Sequence, residues 1–245
     1  MELATASARL TIRVAGISAR LRLLSLSAEE ALAELPQITL VVVSTGVLPA
    51  PSDWLEKDTE ITLRGRYGQR YFHGAICEAR RLQDIGRFQR MQVTVAAHAW
   101  WLTQRTRYRI HSGQSLPDIA RALWQEAGLR LDDLTFDLKQ TPPIWQYRTQ
   151  AGESDWDFLC RLFTELGCVW FFRYSEGRHQ LVVTDHEGAW PSPDTQALAA
   201  HYDHQSGQPE VLYRVQRQRT RTRHDVAVQR YRARQTTRYD TAQAS

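Results

Sequence analysis

The segment Glu153–Phe172, ESDWDFLCRLFTELGCVWFF, contains the start, the body and the end of a helix and the beginning of a strand. Ser154 and Asp157 have the spacing of a capping box, in which each side chain bonds the backbone N–H of the other residue. The apolar positions that follow share one helical face, at Phe158, Leu159, Leu162, Phe163 and Leu166. Gly167 then supplies the expected end of the helix.

A second helix is predicted upstream by the same signals. Ser115 and Asp118 repeat the capping-box spacing. One apolar stripe follows, made of Leu116, Ile119, Ala120, Leu123, Trp124 and Ala127. Gly128 is the expected stop. Because two strands are also predicted, at Cys168–Tyr174 and His179–Thr184, we expect residues 105–190 to form an α+β unit.

The first hundred residues carry only strand patterns. Alternating or continuous apolar positions predict strands at Arg9–Val14, Ile38–Val43, Glu60–Arg64, Arg70–Cys77 and Arg87–Ala97. The third and fourth of these are expected to form a hairpin across Gly65–Gln69. Short strands at this spacing favour a barrel or a sandwich.

The last part of the chain predicts further strands. After a Pro- and Gly-containing connector at Gly188–Gly207, the segments Glu210–Arg219 and Val226–Arg234 are expected to be two strands around a turn near Arg223–Asp225. Arg238–Ser245, RYDTAQAS, predicts no closing element, so we expect the sequence to be a piece of a longer protein or a chain cut at a linker.

Composition excludes several classes of protein. The chain has 245 residues, of which 42% are hydrophobic and 24% charged, so disorder, collagen and coiled coil are excluded as its main description. No apolar run approaches the roughly 18 residues of a membrane helix. Met1–Arg13 lacks the apolar segment of a secretory signal peptide, so we expect none. Three scattered cysteines favour a reducing compartment over a disulfide framework.

The positive charge is concentrated at the C-terminal end. The formal net charge is +4, and 29 of the 31 basic residues are arginine. Residues 211–245 hold nine arginines and two aspartates, a net +7, so the remaining residues carry −3. A basic surface is therefore expected on the last segment only.

Three arginines on the last predicted strand are the candidate interface residues. Arg230, Arg232 and Arg234 share one face at the strand period of two. Guanidinium groups so close together are not buried unpaired, so they face water, a row of carboxylates or a polyanion. Carboxylates of a neighbouring subunit or of an adjoining protein suit the bidentate geometry of arginine. Phosphates of a nucleic acid are the less favoured alternative.

Signals for catalysis and metal binding are weak. The chain contains no GxSxG, GxxxxGK[ST], GxGxxG or HExxH motif. Cys160 has the chemistry of a nucleophile, but it lies between core positions of a predicted helix. Possible metal ligands have a spacing that fits no standard zinc site, at Asp185, His186, His201, Asp203 and His204. We therefore expect no catalytic residue, no cofactor and no metal.

The order of these segments resembles the VgrG family, the spike proteins of type VI secretion, which are related to phage late-control and baseplate-hub proteins. The family shows ESD before a helix, then FLxRLxxExG, an aromatic strand, G-x-H and a strand that ends in Asp. The matching residues are Glu153–Asp155, Phe158–Gly167, Gly177–His179 and Asp185.

Upstream motifs extend the resemblance to about residues 10–240. Arg70–Gly74 resembles the RxFxG hairpin of the family, and the segment from Trp100 through Ile119 resembles its PWL…RIF…SVxDI stretch. Two positions depart from the pattern. Ala99 replaces the usual proline, and His111 stands where an aromatic residue is common.

The resemblance implies an α+β, β-rich fold, which is a phage baseplate-hub-like β-barrel with an inserted α+β domain. The implied domains are residues 1–104 for the barrel, 105–200 for the insertion and 201–245 for strands that return to the barrel. Typical members continue into an OB-like domain and a β-helical spike.

The resemblance also implies a structural protein without enzymatic activity or cofactors. A homotrimer would cap the tube of an injection machine, carry a puncturing spike and leave the bacterial cytoplasm through the machine without a signal peptide. Its partners would be itself, an Hcp-like tube ring, a PAAR-like spike tip, baseplate components and secreted effectors, with no nucleic acid. The alternatives are a phage-tail hub, a nucleic-acid-binding β protein and a hydrolase that uses Cys160 or the pair His201 and His204.

Overall fold

The structure, a computed structural model, describes residues 9–65, 68–190, 199–200, 211–212, 226–231 and 239–244. The chain divides into two units, residues 1–194 and residues 195–245, and each is described by itself. The three domains expected from the sequence, 1–104, 105–200 and 201–245, stay a prediction.

A six-stranded antiparallel sheet forms the first part of the first unit. Its strands are β1 (Arg9–Val14), β2 (Arg22–Glu29), β3 (Gln37–Ser44), β4 (Asp58–Gly65), β5 (Gly68–Ile85) and β6 (Phe88–Ala96). They lie in the order β1-β4-β5-β6-β3-β2. The edge strands β1 and β2 contact each other without pairing, so the sheet curls into a half-barrel.

The inner face of this sheet is apolar because its strands alternate. In β3, Ile38, Leu40 and Val42 are buried while their neighbours are half-exposed or exposed. Trp54, on a 3-10 turn at Pro51–Trp54, is fully buried in the same core. At about 25 cal/mol for each Å² of apolar surface removed from water, this burial is the main stabilising term of the sheet.

The α+β part, residues 98–184, packs around a second core. A 3-10 turn at His98–Gln104 leads into β7 (Thr106–Gln114), α1 (Leu116–Glu126), β8 (Leu134–Asp137), β9 (Trp145–Ser154), α2 (Asp155–Glu165), β10 (Val169–Ser175) and β11 (Arg178–Thr184). Strands β10, β11 and β8 form one sheet, with β8 parallel to β11, while β7 and β9 form an antiparallel ribbon. The two predicted helices and the expected β-rich α+β class are confirmed.

Both helices begin as their capping residues predict. The backbone N–H of Asp157 donates to Ser154 Oγ at 3.0 Å. The backbone N–H of Ser115 donates to Asp118 Oδ2 at 3.0 Å. Each bond satisfies a donor that the first helical turn leaves without a partner.

Some strand predictions were wrong in extent. The strand predicted at Arg70–Cys77 continues to Ile85 and pairs with β6 as a long hairpin arm. This extension was not predicted because the charged residues between Glu78 and Asp84 interrupt the apolar pattern. Strands β2, β7, β8 and β9 were not predicted individually. In β2 a register shift between Leu23 and Ser25 interrupts the apolar alternation.

The second unit contains short strand pairs among its described residues. Strand β12 (Ala199–Ala200) pairs in parallel with β13 (Val211–Leu212). Strand β14 (Val226–Tyr231) pairs antiparallel with β15 (Tyr239–Ala244). Strand β15 lies in the segment for which the sequence predicted no further element, while the expectation that the sequence is a piece of a longer protein stays a prediction. The sequence of β15, YDTAQA, contains mostly small and polar residues, so it has no apolar alternation from which this strand could be predicted.

Candidate functional site

The predicted arginine row lies partly outside the described residues. Arg230 is on β14, where its Cα partner in β15 is Asp240. Arg232 and Arg234 lie outside the described residues. The register therefore places a carboxylate-bearing residue opposite the first arginine, and the interface role of all three stays a prediction.

Cys160 lies in surroundings that disfavour its nucleophilic thiolate form. It lies on α2 and contacts the second hydrophobic core. Burial raises the pKa of its thiol to about 12. Because the thiolate is the nucleophilic form, a neutral thiol at physiological pH gives no support to a hydrolase.

The metal ligands considered from the sequence are not brought together where the structure describes them. The Asp185 carboxylate accepts bonds from the backbone N–H groups of Lys139 and Gln140, at 2.8 and 2.9 Å. His186 Nε2 lies 3.1 Å from Asp137 Oδ1. His201, Asp203 and His204 lie outside the described residues.

The residues of the central signature hold helix α2 in place. Ser154 caps it, and Glu153 accepts a bond at 2.5 Å from Arg161, about two turns further along the helix surface. The other guanidinium nitrogen of Arg161 reaches Glu165 at 3.3 Å. Glu153, Arg161 and Glu165 therefore form one ion network that fixes the helix against the end of β9.

The aspartate of the signature, Asp155, is fully buried. It lies beside Arg107 on β7 and Arg105, which immediately precedes β7. Asp155 Oδ1 accepts a bond from Gln150 Nε2 at 2.9 Å. Its other oxygen lies 3.4 Å from Arg107 Nε and 3.6 Å from Arg105 Nε. A buried carboxylate needs such partners, and removing one partner of a buried pair is strongly destabilising. The conspicuous charge of this motif thus supports packing.

The glycine of the RxFxG hairpin permits a close approach between strands. A Cβ at Gly74 would lie 2.2 Å from the carbonyl oxygen of Ala96. Phe72 of the same motif is 4% exposed and belongs to the core of the six-stranded sheet. In this motif, the glycine therefore allows a close backbone approach and the phenylalanine fills a core position.

A histidine junction, which the sequence analysis did not predict, connects the six-stranded sheet to the α+β part. It consists of His73 on β5, His98 at the start of the 3-10 turn, His179 on β11, and Asp58 on β4. His179 Nδ1 lies 2.9 Å from His73 Nδ1, and the backbone N–H of His98 donates to His179 Nε2 at 3.0 Å. His98 Nε2 lies 2.7 Å from Asp58 Oδ1. Only the G-x-H element of the family resemblance pointed to any of these residues.

The hydrogen bonds of this junction determine its proton positions. A backbone amide can only donate, so His179 Nε2 accepts and a neutral His179 carries its proton on Nδ1. That proton is donated to His73 Nδ1, so a neutral His73 carries its own proton on Nε2. Burial lowers the pKa of His179 to about 3, which keeps the ring neutral.

The same hydrogen bonds argue against a metal centre. The three histidines are close enough together to suggest one. Ligation by either nitrogen of His179 would require a lone pair that is already used or would place an N–H against the amide of His98. The junction does not fit a metal ion, and it is a structural connection between two parts of the first unit.

One exposed face of the β7–β9 ribbon carries no charge. Its residues are Thr106, Tyr108, Ile110, Ser112, Tyr147, Thr149 and Ala151. Tyr108 is 85% exposed and Ile110 is 67% exposed, while the opposite face directs Arg107 and His111 toward the helices. Exposed tyrosine without charge is typical of the centre of a protein interface.

The two clefts described in the first unit bring together no nucleophile and base. One, of about 270 Å³, is lined by residues that include Glu30, Arg70 and Phe172. The other, of about 340 Å³, lies among Arg20, Arg22 and Arg87. No histidine or cysteine lines either cleft. Among the described residues, no helix has the length and apolar character needed to cross a membrane.

This fold and these contacts define a β-rich structural module, a curled sheet joined to a small α+β layer. The family model described as phage tail baseplate hub (GPD) matches residues 29–245. The chain belongs to this phage tail baseplate hub family.

Curated relatives are spike proteins of type VI secretion, which confirms the resemblance to the VgrG family. The spike protein VgrG1b of Pseudomonas aeruginosa is 32% identical over 134 residues, which cover 55% of this chain and 18% of that protein. VgrG1c of the same organism is 32% identical over 142 residues, which cover 58% and 19%. The chain thus spans about a fifth of the length of these relatives.

Solved structures show the same fold. An E. coli component of the type VI secretion system, described as similar to the T4 bacteriophage tail proteins gp27 and gp5, matches with a TM-score of 0.70 at 22% identity, over 78% of this chain and 52% of that one. The 43 kDa tail protein of prophage MuSo2 from Shewanella oneidensis matches with a TM-score of 0.52 at 13% identity, over 73% and 53%.

Proposed function

We propose that this chain is the hub region of a type VI secretion spike, with a structural and non-enzymatic role. Three copies form a ring that caps the tube of a contractile injection machine and carries the puncturing spike and its effectors. The partners proposed are further copies of the chain, an Hcp-like tube ring, a PAAR-like spike tip, baseplate components and effectors, with no nucleic acid. The protein acts from the bacterial cytoplasm and leaves through the machine.

The use of the signature residues is the observation that carries this proposal. Ser154 caps a helix, Asp155 is buried beside arginines, Gly74 allows a close backbone approach, and His179 joins two parts of the unit. Residues that support packing in this way suit a module that must transmit mechanical load. The thiol of Cys160 has a raised pKa, and both ring nitrogens of His179 are hydrogen-bonded, so neither group supports a chemical role.

A secretion assay tests the proposal. In a bacterium that encodes this protein and a type VI machine, deletion of every copy is expected to stop release of the tube protein into the medium and killing of neighbouring cells. Restoring the wild-type protein or the Cys160→Ala variant is expected to restore both. Undiminished tube release in the deletion strain, or rescue by wild type alone, would contradict a structural hub.

A phage-tail hub is the second candidate. It is favoured by the description of the family model and by the fold of the prophage tail protein. In that case the same deletion would abolish assembly of tail particles and leave type VI secretion intact, so the assay separates the two candidates.

A further inference from the structure

The histidine junction lies where the hairpin of β10 and β11 contacts strand β5, and it links the two through a hydrogen bond between His179 and His73. Both strands of the hairpin contact β5, and His179 is 2% exposed at this contact. Its two ring nitrogens are used by two different neighbours, the backbone N–H of His98 and the ring of His73. The contact therefore depends on one proton and one lone pair in fixed positions.

We propose that His73 and His179 form a proton-operated latch between the six-stranded sheet and the α+β part. With both rings neutral, His179 Nδ1–H donates to His73 Nδ1 and the hairpin is held on the sheet. When His73 takes a proton, the proton occupies the only lone pair that its ring offers. Two N–H groups then face each other at the 2.9 Å contact, and the latch opens.

The latch cannot adjust by moving the proton of His179 to its other nitrogen. Nε2 of His179 faces the backbone N–H of His98, which has no lone pair to accept a bond. Any proton added to the His73–His179 pair therefore breaks one of its two hydrogen bonds. A pair of histidines with exchangeable partners would have an alternative arrangement, and this one has none.

Charged groups from the neighbouring elements face His73, whose protonation opens the latch. The carboxylates of Asp58 and Glu60 on β4 and of Asp133 before β8 attract a proton to His73, whereas His98 opposes it when charged. Burial of the ring is the largest effect and lowers the pKa of His73. The nearby carboxylates offset part of this lowering of the His73 pKa.

Aromatic contacts hold the hairpin together when the latch is open. Within the hairpin, β10 pairs with β11, and Phe172 and Tyr174 of β10 lie with ring centroids 5.8 and 6.0 Å from His179. Tyr174 also contacts Phe72 on β5 at 5.5 Å, so one aromatic contact to the sheet remains when the latch is open. Opening is therefore expected to loosen the hairpin from the sheet while leaving the hairpin itself and the second core folded.

Hydrogen exchange as a function of pH tests the latch. In the wild-type chain, amides of β10 and β11 are expected to lose protection by about tenfold or more as the pH falls from about 7.5 to about 4, after correction for intrinsic exchange. The range extends below the ordinary titration of histidine because burial lowers the pKa of His73. Amides of helix α1 serve as the internal reference and are expected to keep their protection. Unchanged protection of the hairpin over this range would overturn the proposal.

Conservative variants separate the trigger from its structural role. His73→Asn places an amide oxygen near the position of Nδ1, which keeps the acceptor but removes the titration, so the pH effect is expected to disappear. His179→Gln keeps an acceptor for the His98 amide but loses the donor to His73, so the hairpin is expected to be loose at both pH values. A pH effect in His73→Asn equal to that of the wild type would overturn the proposal.

Imidazole nitrogen chemical shifts test the same latch without any variant. At about pH 7.5, where neutral histidine predominates, His179 is expected to carry its proton on Nδ1 and His73 on Nε2. His111, which is buried against Phe158 away from the junction and has Nδ1 3.2 Å from Gln114 Oε1, supplies a reference signal from a histidine outside the junction. The opposite tautomer on either ring would overturn the proposal.

Discussion

The imidazole of His111 lies almost flat against the ring of Phe158, with ring centroids 5.2 Å apart and ring planes inclined by 19°. His111 is on β7 and Phe158 is on α2, so the stack joins the ribbon to the helix across the second core. Burial lowers the pKa of His111 and keeps the ring neutral. The histidine that departs from the family pattern at this position thus makes a ring-to-ring contact in the second core.

Removal of the cap of α2 is expected to destabilise the first unit. Ser154→Ala deletes the acceptor for the Asp157 N–H, and we expect a loss of about 0.5–2 kcal/mol in the free energy of unfolding. Leu162→Ala, which deletes a fully buried side chain on the same helix, is expected to cost about 2–5 kcal/mol. Urea unfolding measures both.

Ser27→Ala is the matched control for the cap, because Ser27 is exposed on β2. It is expected to change stability by less than about 0.5 kcal/mol. Equal effects of the two serine substitutions would contradict the capping role of Ser154.

A methyl group at Gly74 is expected to disrupt the six-stranded sheet. Gly74→Ala would bring Cβ to 2.2 Å from a backbone oxygen that cannot move aside without shifting β6. We expect a loss of about 1–3 kcal/mol or more, as for other overpacked sites. Gly46→Ala is the control, since its Cβ would meet only the Ser44 hydroxyl at 3.6 Å. Equal melting temperatures of the two variants would argue against the close approach of Gly74 to the Ala96 carbonyl oxygen.

The thiol of Cys160 is expected to resist alkylation in the folded protein. Its pKa of about 12 leaves very little thiolate near neutral pH, and the thiolate is the reactive form. Mass spectrometry after treatment with iodoacetamide should therefore find Cys160 modified much more slowly in the native protein than in urea. Rapid native alkylation, or stoichiometric zinc in the purified protein, would contradict the assignment of a structural role.

Charge reversal of the arginine row tests its role as an interface. Replacement of Arg230, Arg232 and Arg234 by Glu is expected to leave the first unit folded and to weaken binding to the tube protein by about tenfold or more, which is about 1.4 kcal/mol. The control reverses Arg13, Arg64 and Arg80, three exposed arginines of the six-stranded sheet, for the same change in net charge.

The same variants separate protein binding from nucleic-acid binding. Equal loss of tube binding in both would show a general charge effect and contradict a specific interface. A submicromolar, salt-sensitive affinity of the wild type for DNA that disappears in the first variant would favour phosphates as the partner of the row.

Local patterns predicted the elements whose signals lie within a few residues. The two helices have caps, stripes and glycine stops within about a dozen residues, and β3 has an uninterrupted β-branched run, so their positions followed from sequence. Strand β9 is mostly polar, because one face of it is exposed and the other carries Arg148 and Gln150. Its apolar period is too weak to be read.

The histidine junction could not be predicted from local patterns. His73, His98 and His179 come from β5, from the turn after β6 and from β11, and only the packing of the hairpin on the sheet brings them together. Their roles depend on which nitrogen faces a backbone amide, which no spacing encodes. The charged signature near Asp155 raised the same difficulty, since its burial depends on arginines of β7.

The mass of the protein in solution tests the central claim most directly. We expect that light scattering after size exclusion gives three times the chain mass for the protein with any natural continuation beyond Ser245, while the 245-residue chain alone is monomeric or weakly associated, since we propose that a spike region beyond the hub holds the three chains together. A stable monomer of the longer chain at micromolar concentration would contradict the account of this protein as a trimeric hub.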